Sequence, residues 1–217
     1  MLLCPPGVYR AQSDTAMLTR SATAGEYVCE RDVLDMCTGS GAVALAAWRA
    51  GAASVTAVDL SWRSVATTWL NSRVRGAPVD VRRGDMFAPV AGRRFGLILS
   101  NPPYVPAARS VPPRHRKGRC WDAGLDGRLL LNRICDAAGA HLTDDGTLLM
   151  VHSSVCGAEQ TVARLARSGL QAQVRERARL PFGPVMRARA GLLVERGLIE
   201  PGESVEELVV IEAHRAC

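Results

Sequence analysis

Val33-Leu34-Asp35-Met36-Cys37-Thr38-Gly39-Ser40-Gly41 is the stretch that decides the fold class of this chain. An apolar run with strand character leads into a glycine-rich turn, and an alanine-rich segment of helical composition follows the turn. A turn of this kind lets the backbone bend sharply and brings unpaired helix N–H groups close to a ligand. The stretch therefore predicts a binding turn at the carboxyl end of a buried parallel strand.

The rest of the chain alternates between short apolar runs and longer helical patterns. We predict strands at 32–37, 54–59, 79–83, 95–101, 147–152, 171–179 and 206–212, and helices at 15–24, 42–50, 61–75, 127–142 and 158–168. The first strands are apolar on both faces, which is typical of a parallel sheet covered by helices. The pattern predicts a doubly wound, Rossmann-like α/β fold with a mostly parallel seven-stranded sheet. We expect Asp14 to cap the first helix, and Trp48, Trp62 and Trp69 to pack on the sheet.

Composition limits the class of protein. The chain has 217 residues, of which 47% are apolar, so we predict a single domain over 1–217. No apolar run approaches the roughly 20 residues that span a bilayer, and the N-terminus lacks the pattern of a secretory signal, which predicts a cytoplasmic protein. Seven cysteines without a Cys-x-x-Cys pair predict reduced thiols and no metal site.

The net charge of +6 comes from 26 arginines and a single lysine. Two stretches concentrate this charge: Arg109, Arg114, His115, Arg116, Lys117 and Arg119 form the first, and Arg175, Arg177, Arg179, Arg187 and Arg189 form the second. Basic clusters attract nucleic acid or acidic protein surfaces. A solvated surface explains either cluster equally well, so both interpretations stay open.

Asp59 follows Gly39 by 20 residues and ends the second predicted strand. A carboxylate at that position can accept hydrogen bonds from both hydroxyls of a ribose that lies across the carboxyl edge of the sheet. The run from Gly39 to Ala44 also fits the dinucleotide fingerprint G-x-G-x-x-G/A. Spacing alone therefore leaves a nicotinamide dinucleotide and S-adenosylmethionine as alternatives.

Two further acids favour the methyl donor. Asp35 ends the first strand, where its carboxylate could meet the amino group of a methionine moiety but would repel a pyrophosphate. Asp85 follows the third strand and suits the exocyclic amine of adenine, with Met86 near the ring. Either acid could instead cap the following helix.

Ser100-Asn101-Pro102-Pro103-Tyr104 follows the fourth strand at the same edge of the sheet. The nitrogen of an amide or an aromatic amine is a weak nucleophile, because its lone pair is delocalised. The Asn101 side-chain oxygen and the Pro102 carbonyl could accept both of its N–H bonds, while Pro103 removes a competing donor. Tyr104 offers a face to a planar group or to a sulfonium. The pattern predicts N-methylation.

The chain resembles the class I S-adenosylmethionine-dependent methyltransferases with an NPPY motif, and among them the short form of the HemK-type protein-glutamine N5-methyltransferases. The residues that carry the resemblance are Tyr9-Arg10-Ala11-Gln12-Ser13-Asp14-Thr15-Ala16-Met17-Leu18, the turn from Asp35 to Gly41, Asp59, Asp85, the run from Asn101 to Tyr104, and Trp121-Asp122-Ala123-Gly124-Leu125-Asp126-Gly127. Cys37 stands where that family usually has glycine, Ala11 replaces a proline, and Ala123 replaces a glycine.

The resemblance implies roles for individual residues. The cofactor would contact Thr15, Asp35, Cys37, Gly39, Gly41, Asp59, Asp85, Met86 and Asn101, and the acceptor amide would be held by Asn101, Pro102, Pro103 and Tyr104. The resemblance also implies that 1–28 forms an N-terminal cap and that 105–125 forms the substrate loop. It implies a protein substrate such as a translation release factor, methylated in its Gly-Gly-Gln loop, and in some short-form relatives a small activator subunit.

Three other functions remain open from the sequence. An N6-adenine methyltransferase acting on RNA or DNA would use the same motif and the basic loops. A nicotinamide dehydrogenase would leave the run from Asn101 to Tyr104 without a role. A binding module without catalysis would use the arginine clusters alone, since fold by itself does not determine function.

Overall fold

A computed structural model describes residues 2–110 and 117–215, apart from the side chains of Lys117 and Arg119. The strands are β1 Asp32–Met36, β2 Ser54–Asp59, β3 Val79–Arg83, β4 Phe95–Ser100, β5 Leu142–Ser153, β6 Leu170–Pro181 and β7 Val205–Arg215. The helices are α1 Ser13–Ala24, α2 Ala42–Arg49, α3 Trp62–Arg73, α4 Leu129–His141, α5 Ala158–Arg167 and α6 Pro184–Glu195. Short 3₁₀ turns lie at Ala88–Val90, Lys117–Cys120 and Ser154–Cys156.

The strands form a seven-stranded sheet in the order β3-β2-β1-β4-β5-β7-β6. Every neighbouring pair is parallel except the two that involve β7, which runs antiparallel to β5 and β6. The predicted doubly wound, mostly parallel α/β fold is confirmed. The strand order changes direction between β1 and β4, and ligands of such sheets bind at the carboxyl ends of the strands beside that point.

Strands β1 and β4 are buried on both faces, as their apolar sequences predict. Leu34 and Ile98 face one core, which α4 and α5 cover, and Val33 and Leu97 face a second core, which α1 and α2 cover. Side chains alternate between the faces of a strand, so a strand covered on both sides has to be apolar at successive positions.

Two local expectations are wrong. Helix α1 begins at Ser13 and Gln12 occupies its N-cap position without a side-chain hydrogen bond, so Asp14 lies inside the first turn and not at the N-cap, although its Oδ1 accepts from the Thr15 N–H of that turn. Trp62 and Trp69 are 61% and 51% exposed on α3, because the sheet side of that helix is filled by small polar residues such as Thr68.

Helix α6 lies between β6 and β7, where no helix was predicted. Gly183 is the N-cap of this helix and Pro184 is its first residue, a position where proline is favourable. Only Met186 and Leu193 of α6 are buried, and the six residues between them are arginine, alanine, glycine and leucine, so the sequence lacks a clear apolar stripe. These two side chains pack with Val105, Phe182 and Ile199 in a third, smaller core above the sheet edge.

None of the helices in 2–110 and 117–215 combines the length and the apolar character needed to cross a membrane.

Candidate active site

A cavity of about 570 Å³ opens at the carboxyl edge of the sheet. Its floor comes from the ends of β1, β2 and β4, and its walls from the N-terminal segment, the loop after β4, the start of α4 and the residues around α6. Eight predicted site residues line it: Cys37, Gly39, Asp59, Asp85, Asn101, Pro102, Pro103 and Tyr104. The other four, Thr15, Asp35, Gly41 and Met86, do not belong to the lining.

The glycine-rich turn bends through left-handed backbone conformations. Cys37 has a φ of +64°, Gly39 of +57° and Gly41 of +81°. The Gly39 N–H donates to Asp59 Oδ2 at 3.0 Å, and the Ser61 N–H donates to Oδ1 at 2.8 Å. Two backbone donors therefore hold the Asp59 carboxylate at the cavity wall, where a ribose would lie.

Cys37 explains why the related family prefers glycine at this position. A side chain in the left-handed region is strained, whereas glycine adopts it freely. The Cys37 thiol packs against the core beside α4, and burial raises its pKa well above the usual range, with Asp59 adding to the shift. The thiol is therefore neutral and unreactive at physiological pH.

Asp35 lies behind the turn. Its carboxylate is 1% exposed and accepts hydrogen bonds from the Thr38 hydroxyl at 2.6 Å and the Ala44 N–H at 2.9 Å. Ala44 belongs to the first turn of α2, so the side chain satisfies a free helix donor. Burial raises the pKa of Asp35 to about 7. Its contact with the amino group of a methyl donor stays a prediction, and the helix-capping role that the sequence also allowed is the one that its contacts match.

Gly41 and Met86 also lie outside the cavity wall. Gly41 precedes α2, and a Cβ there would come within 2.9 Å of the Thr68 side chain. Met86 is 7% exposed and belongs to the core. Asp85 does line the cavity, but Arg133 of α4 donates to both of its oxygens, at 3.1 and 2.7 Å. Arg133 belongs to no predicted motif, yet it lines the cavity beside Asp85 at the predicted adenine end.

A chain of hydrogen bonds holds the Asn101 amide. Asn101 Nδ2 donates to Thr15 Oγ1 at 3.1 Å, and the Thr15 hydroxyl donates to Asp14 Oδ1 at 3.2 Å. The Asn101 Oδ1 atom is thereby left to accept a hydrogen bond at the cavity. Thr15 thus lies behind Asn101, and its predicted contact with the cofactor stays a prediction.

Asp14 also accepts hydrogen bonds from two tyrosines. The Tyr9 hydroxyl donates to Asp14 Oδ2 at 2.6 Å and the Tyr104 hydroxyl donates to the same oxygen at 3.1 Å. Burial and the nearby Asp14 carboxylate raise the pKa of both tyrosines far above 10, so both remain protonated donors. Asp14 was predicted only as a helix cap, although its place beside Thr15 in the N-terminal run that carries the resemblance was a usable signal.

Arg189 of α6 and Arg196, which follows the last residue of α6, hold the loop that follows the Asn-Pro-Pro-Tyr run. Arg189 donates to the Pro106 carbonyl at 2.8 Å and pairs with Asp122. Arg196 donates to the carbonyls of Ala107 and Leu125 at 2.8 and 2.6 Å. The helix therefore fixes the described part of the predicted substrate loop against the cavity.

The second basic cluster is largely neutralised within the fold. Arg175 pairs with Glu212, and Arg177 pairs with Glu159 and Glu207. Together with Arg189, these side chains are structural. In the first cluster, Arg109 is exposed, whereas Arg114, His115 and Arg116 and the side chains of Lys117 and Arg119 lie outside the described residues.

Among the histidines, cysteines and acids in the described ranges, no group of three or more could hold a metal ion.

The known proteins that this chain resembles are methyltransferases. The sequence profile of the methyltransferase small domain family matches residues 6–117. The chain is 27% identical to a protein of Methanocaldococcus jannaschii that is named as a protein N5-glutamine methyltransferase, over 83% of this chain and 90% of that protein. It is 30% identical to the release factor glutamine methyltransferase of Mycobacterium tuberculosis, over 90% of this chain and 69% of that protein.

Other relatives are longer. The chain is 42% identical to the ribosomal protein uL3 glutamine methyltransferase of Bradyrhizobium diazoefficiens but covers only 39% of its length. Among solved structures, the Mtq2 and Trm112 complex of E. cuniculi, described as responsible for methylation of the termination factor eRF1, matches with a TM-score of 0.67 and 19% identity, covering 97% of this chain and 99% of that chain.

Proposed function

Because the chain belongs to the methyltransferase small domain family and is an S-adenosylmethionine-dependent methyltransferase of HemK type, we propose that its acceptor is the side-chain amide of a glutamine in a protein. The observation that carries this proposal is the Asn101 amide, which Thr15 holds from behind at the cavity wall. The relatives named above act on glutamines of a release factor and of ribosomal protein uL3, and we propose substrates of this class, in the cytoplasm, for this chain.

We propose that the methyl donor binds in this cavity. We propose that Asp59 accepts hydrogen bonds from the two ribose hydroxyls, and that Gly39, which has no side chain, allows the donor to lie close to the turn. Asp85 and Arg133, with Leu129 and Leu130 of α4 beside them, form the end of the cavity that suits adenine. When bound, the donor supplies a methyl group on a positively charged sulfur.

The residues that hold the acceptor orient its nitrogen for methyl transfer. We propose that Asn101 Oδ1 and the Pro102 carbonyl accept the two N–H bonds of the glutamine amide and keep its nitrogen directed toward the methyl group. Orientation of this kind replaces the need for a strong base, because the nitrogen loses its proton after it has gained the methyl group. Pro102 and Pro103 have restricted backbones, which hold the carbonyl in place.

The proposed substrate loop at 105–125 is held from one side by α6. Its carbonyls at Pro106, Ala107 and Leu125 accept from Arg189 of that helix and from Arg196 at the end of the helix. We propose that it forms a fixed wall for a protein segment carrying the glutamine. Arg175, Arg177 and Arg189 are engaged within the fold, which removes much of the charge that a nucleic acid would use.

We also propose that a small partner subunit binds helix α3, as Trm112 assembles with Mtq2 in the solved complex. Trp62, Trp69, Leu70 and Val74 are 61%, 51%, 42% and 68% exposed. Trp62 and Trp69 lie seven residues, or about two turns, apart on one side of the helix, and Leu70 and Val74 lie near its end. Contiguous exposed apolar surface of this kind marks protein interaction sites.

Transfer of labelled methyl tests the acceptor. The purified chain, with and without a candidate small subunit, is incubated with labelled S-adenosylmethionine and a release factor, ribosomal protein uL3 or total RNA. We expect protein and nucleoside digests to show methylglutamine, and the label to vanish when that glutamine is replaced. Methyladenosine without methylglutamine would instead establish the adenine alternative.

Asn101→Ala tests the catalytic assignment in the same assay. Loss of one preorganised polar group at a reacting centre lowers rates by about 10²–10³, so we expect transfer to fall by that amount while donor affinity changes little. Asn132→Ala is a matched control, because Asn132 lies on α4 outside the cavity lining. Activity of Asn101→Ala within a few-fold of the original chain would refute the assignment.

A further inference from the structure

Glu206 is a carboxylate in the cavity that no predicted motif contains. It lies at the start of β7 and lines the same cavity as Asn101 and Tyr104, with Leu208, Pro181 and Met186 as apolar neighbours. The Ser153 side chain and the Gly183 backbone lie close to the carboxylate and favour its charged form. These two contacts tie Glu206 to the end of β5 and to the start of α6.

One of its oxygens has no partner. Glu206 Oε2 is buried and accepts no hydrogen bond within the described residues. Burial and the charge of Asp14 raise the pKa of Glu206, which reflects the cost of placing a second carboxylate near this end of the cavity. Native proteins rarely leave a buried acceptor unpaired, so an orphaned oxygen in a ligand cavity needs an explanation.

The surrounding side chains cannot supply the missing donor. The two nearby tyrosines, Tyr9 and Tyr104, each have one hydroxyl proton, and both donate it to Asp14. The apolar neighbours have no donor to offer. A molecule that enters the cavity beside Tyr104 can bring a hydrogen-bond donor to the Glu206 carboxylate.

We propose that Glu206 is a specificity-determining residue that accepts a hydrogen bond from a main-chain N–H next to the acceptor glutamine. This inference rests on the proposed function and narrows its substrate to a peptide segment. A peptide N–H is neutral and can enter a narrow apolar space, whereas the phosphates of a nucleic acid would be repelled by the carboxylate. Glu206 thus favours a protein loop over a polynucleotide at the same catalytic motif.

Glu206→Gln tests the role with little change of shape. Glutamine has nearly the same size and shape as glutamate, but its NH₂ group replaces one carboxylate oxygen and sets donor against donor. Hydrogen bonds to charged groups contribute enough that we expect KM for the protein substrate to rise about 10- to 100-fold. The turnover number and the donor dissociation constant should stay within about threefold, since Glu206 does not touch the reacting nitrogen.

Glu207→Gln is the matched control. Glu207 is the next residue on β7 and pairs with Arg177 at the surface, so its substitution should leave KM unchanged. Thermal melting of both variants shows whether Glu206→Gln merely loosens α6. A variant with normal KM for the protein substrate would overturn the proposal, and so would a loss of donor affinity equal to the rise in KM.

Ester substitution in the substrate tests the proposal without any protein variant. Peptides in which a single main-chain N–H on either side of the acceptor glutamine is replaced by an ester oxygen are compared with the parent peptide. We expect one ester to raise KM about tenfold with the original chain and to have little further effect with Glu206→Gln. Equal losses with both enzymes would refute the contact. If the original chain methylates no protein glutamine at all, the proposed function fails, and this inference fails with it.

Discussion

Thr15→Val tests whether Thr15 contacts the cofactor, as the sequence resemblance implies, or holds the Asn101 amide in place. In the structure the Thr15 hydroxyl accepts from Asn101 Nδ2 at 3.1 Å, and the residue does not line the cavity. Valine keeps the shape but removes the hydroxyl. The Thr15 N–H still donates to Asp14 Oδ1 at 2.6 Å, so Asp14 and its tyrosines should stay in place.

The expected loss of activity in Thr15→Val follows from the loss of one buried hydrogen bond. A neutral hydrogen bond contributes about 0.5–1.5 kcal/mol, and an unpaired buried donor costs somewhat more. If the lost contact is needed to orient Asn101 during transfer, a penalty of about 1.4 kcal/mol lowers the turnover number about tenfold. The dissociation constant for S-adenosylmethionine should change less than about twofold, because the hydroxyl lies behind the asparagine.

Single-turnover methyl transfer at saturating donor measures the rate of transfer, and titration calorimetry measures the dissociation constant for S-adenosylmethionine. Thr23→Val serves as the control, since Thr23 is an exposed residue of the same helix whose hydroxyl donates to the Thr19 carbonyl. A tenfold loss of donor affinity with normal turnover would refute the reasoning and restore the cofactor contact that the resemblance implies.

Two further predictions concern the cofactor turn. Asp59→Ala should weaken S-adenosylmethionine binding by about 2–3 kcal/mol, the scale of hydrogen bonds to a charged group, and calorimetry that finds unchanged affinity would remove Asp59 from the site. For Asp35, burial raises the pKa from 3.8 to about 7, so the folded state favours the protonated form and the original chain should lose stability as pH rises from about 4 to 7. Asp35→Asn has no carboxyl group to ionise and should not lose this stability. Chemical denaturation should find the free energy of unfolding of the variant equal to that of the original chain near pH 3.8, and higher by at most about 4 kcal/mol above pH 7. A difference that stays constant across this pH range would contradict the buried-carboxyl account.

The sequence by itself determined the fold class and the main chemical motif. Alternating apolar runs and helical patterns are local properties, and they predicted all seven strands, although β5, β6 and β7 extend beyond the predicted limits. The glycine turn, Asp59 and the run from Asn101 to Tyr104 each follow a strand of a parallel sheet. Because the carboxyl ends of such strands share one edge, their meeting in a single cavity could be predicted.

Only the tertiary structure decided how these residues are supported. Asp14 and Tyr104 are 90 positions apart in the chain, and Arg189 reaches a carbonyl 83 positions away. Contacts of this kind depend on how helices pack over the sheet edge, and no local pattern encodes them. Helix α6 could not be predicted for the same reason, because its few buried side chains gain their partners only when the loop after β4 folds against it. The hydrogen-bonded surroundings of Asn101 and the orphaned oxygen of Glu206 are therefore properties of the packed molecule, since they arise where distant segments exclude water together.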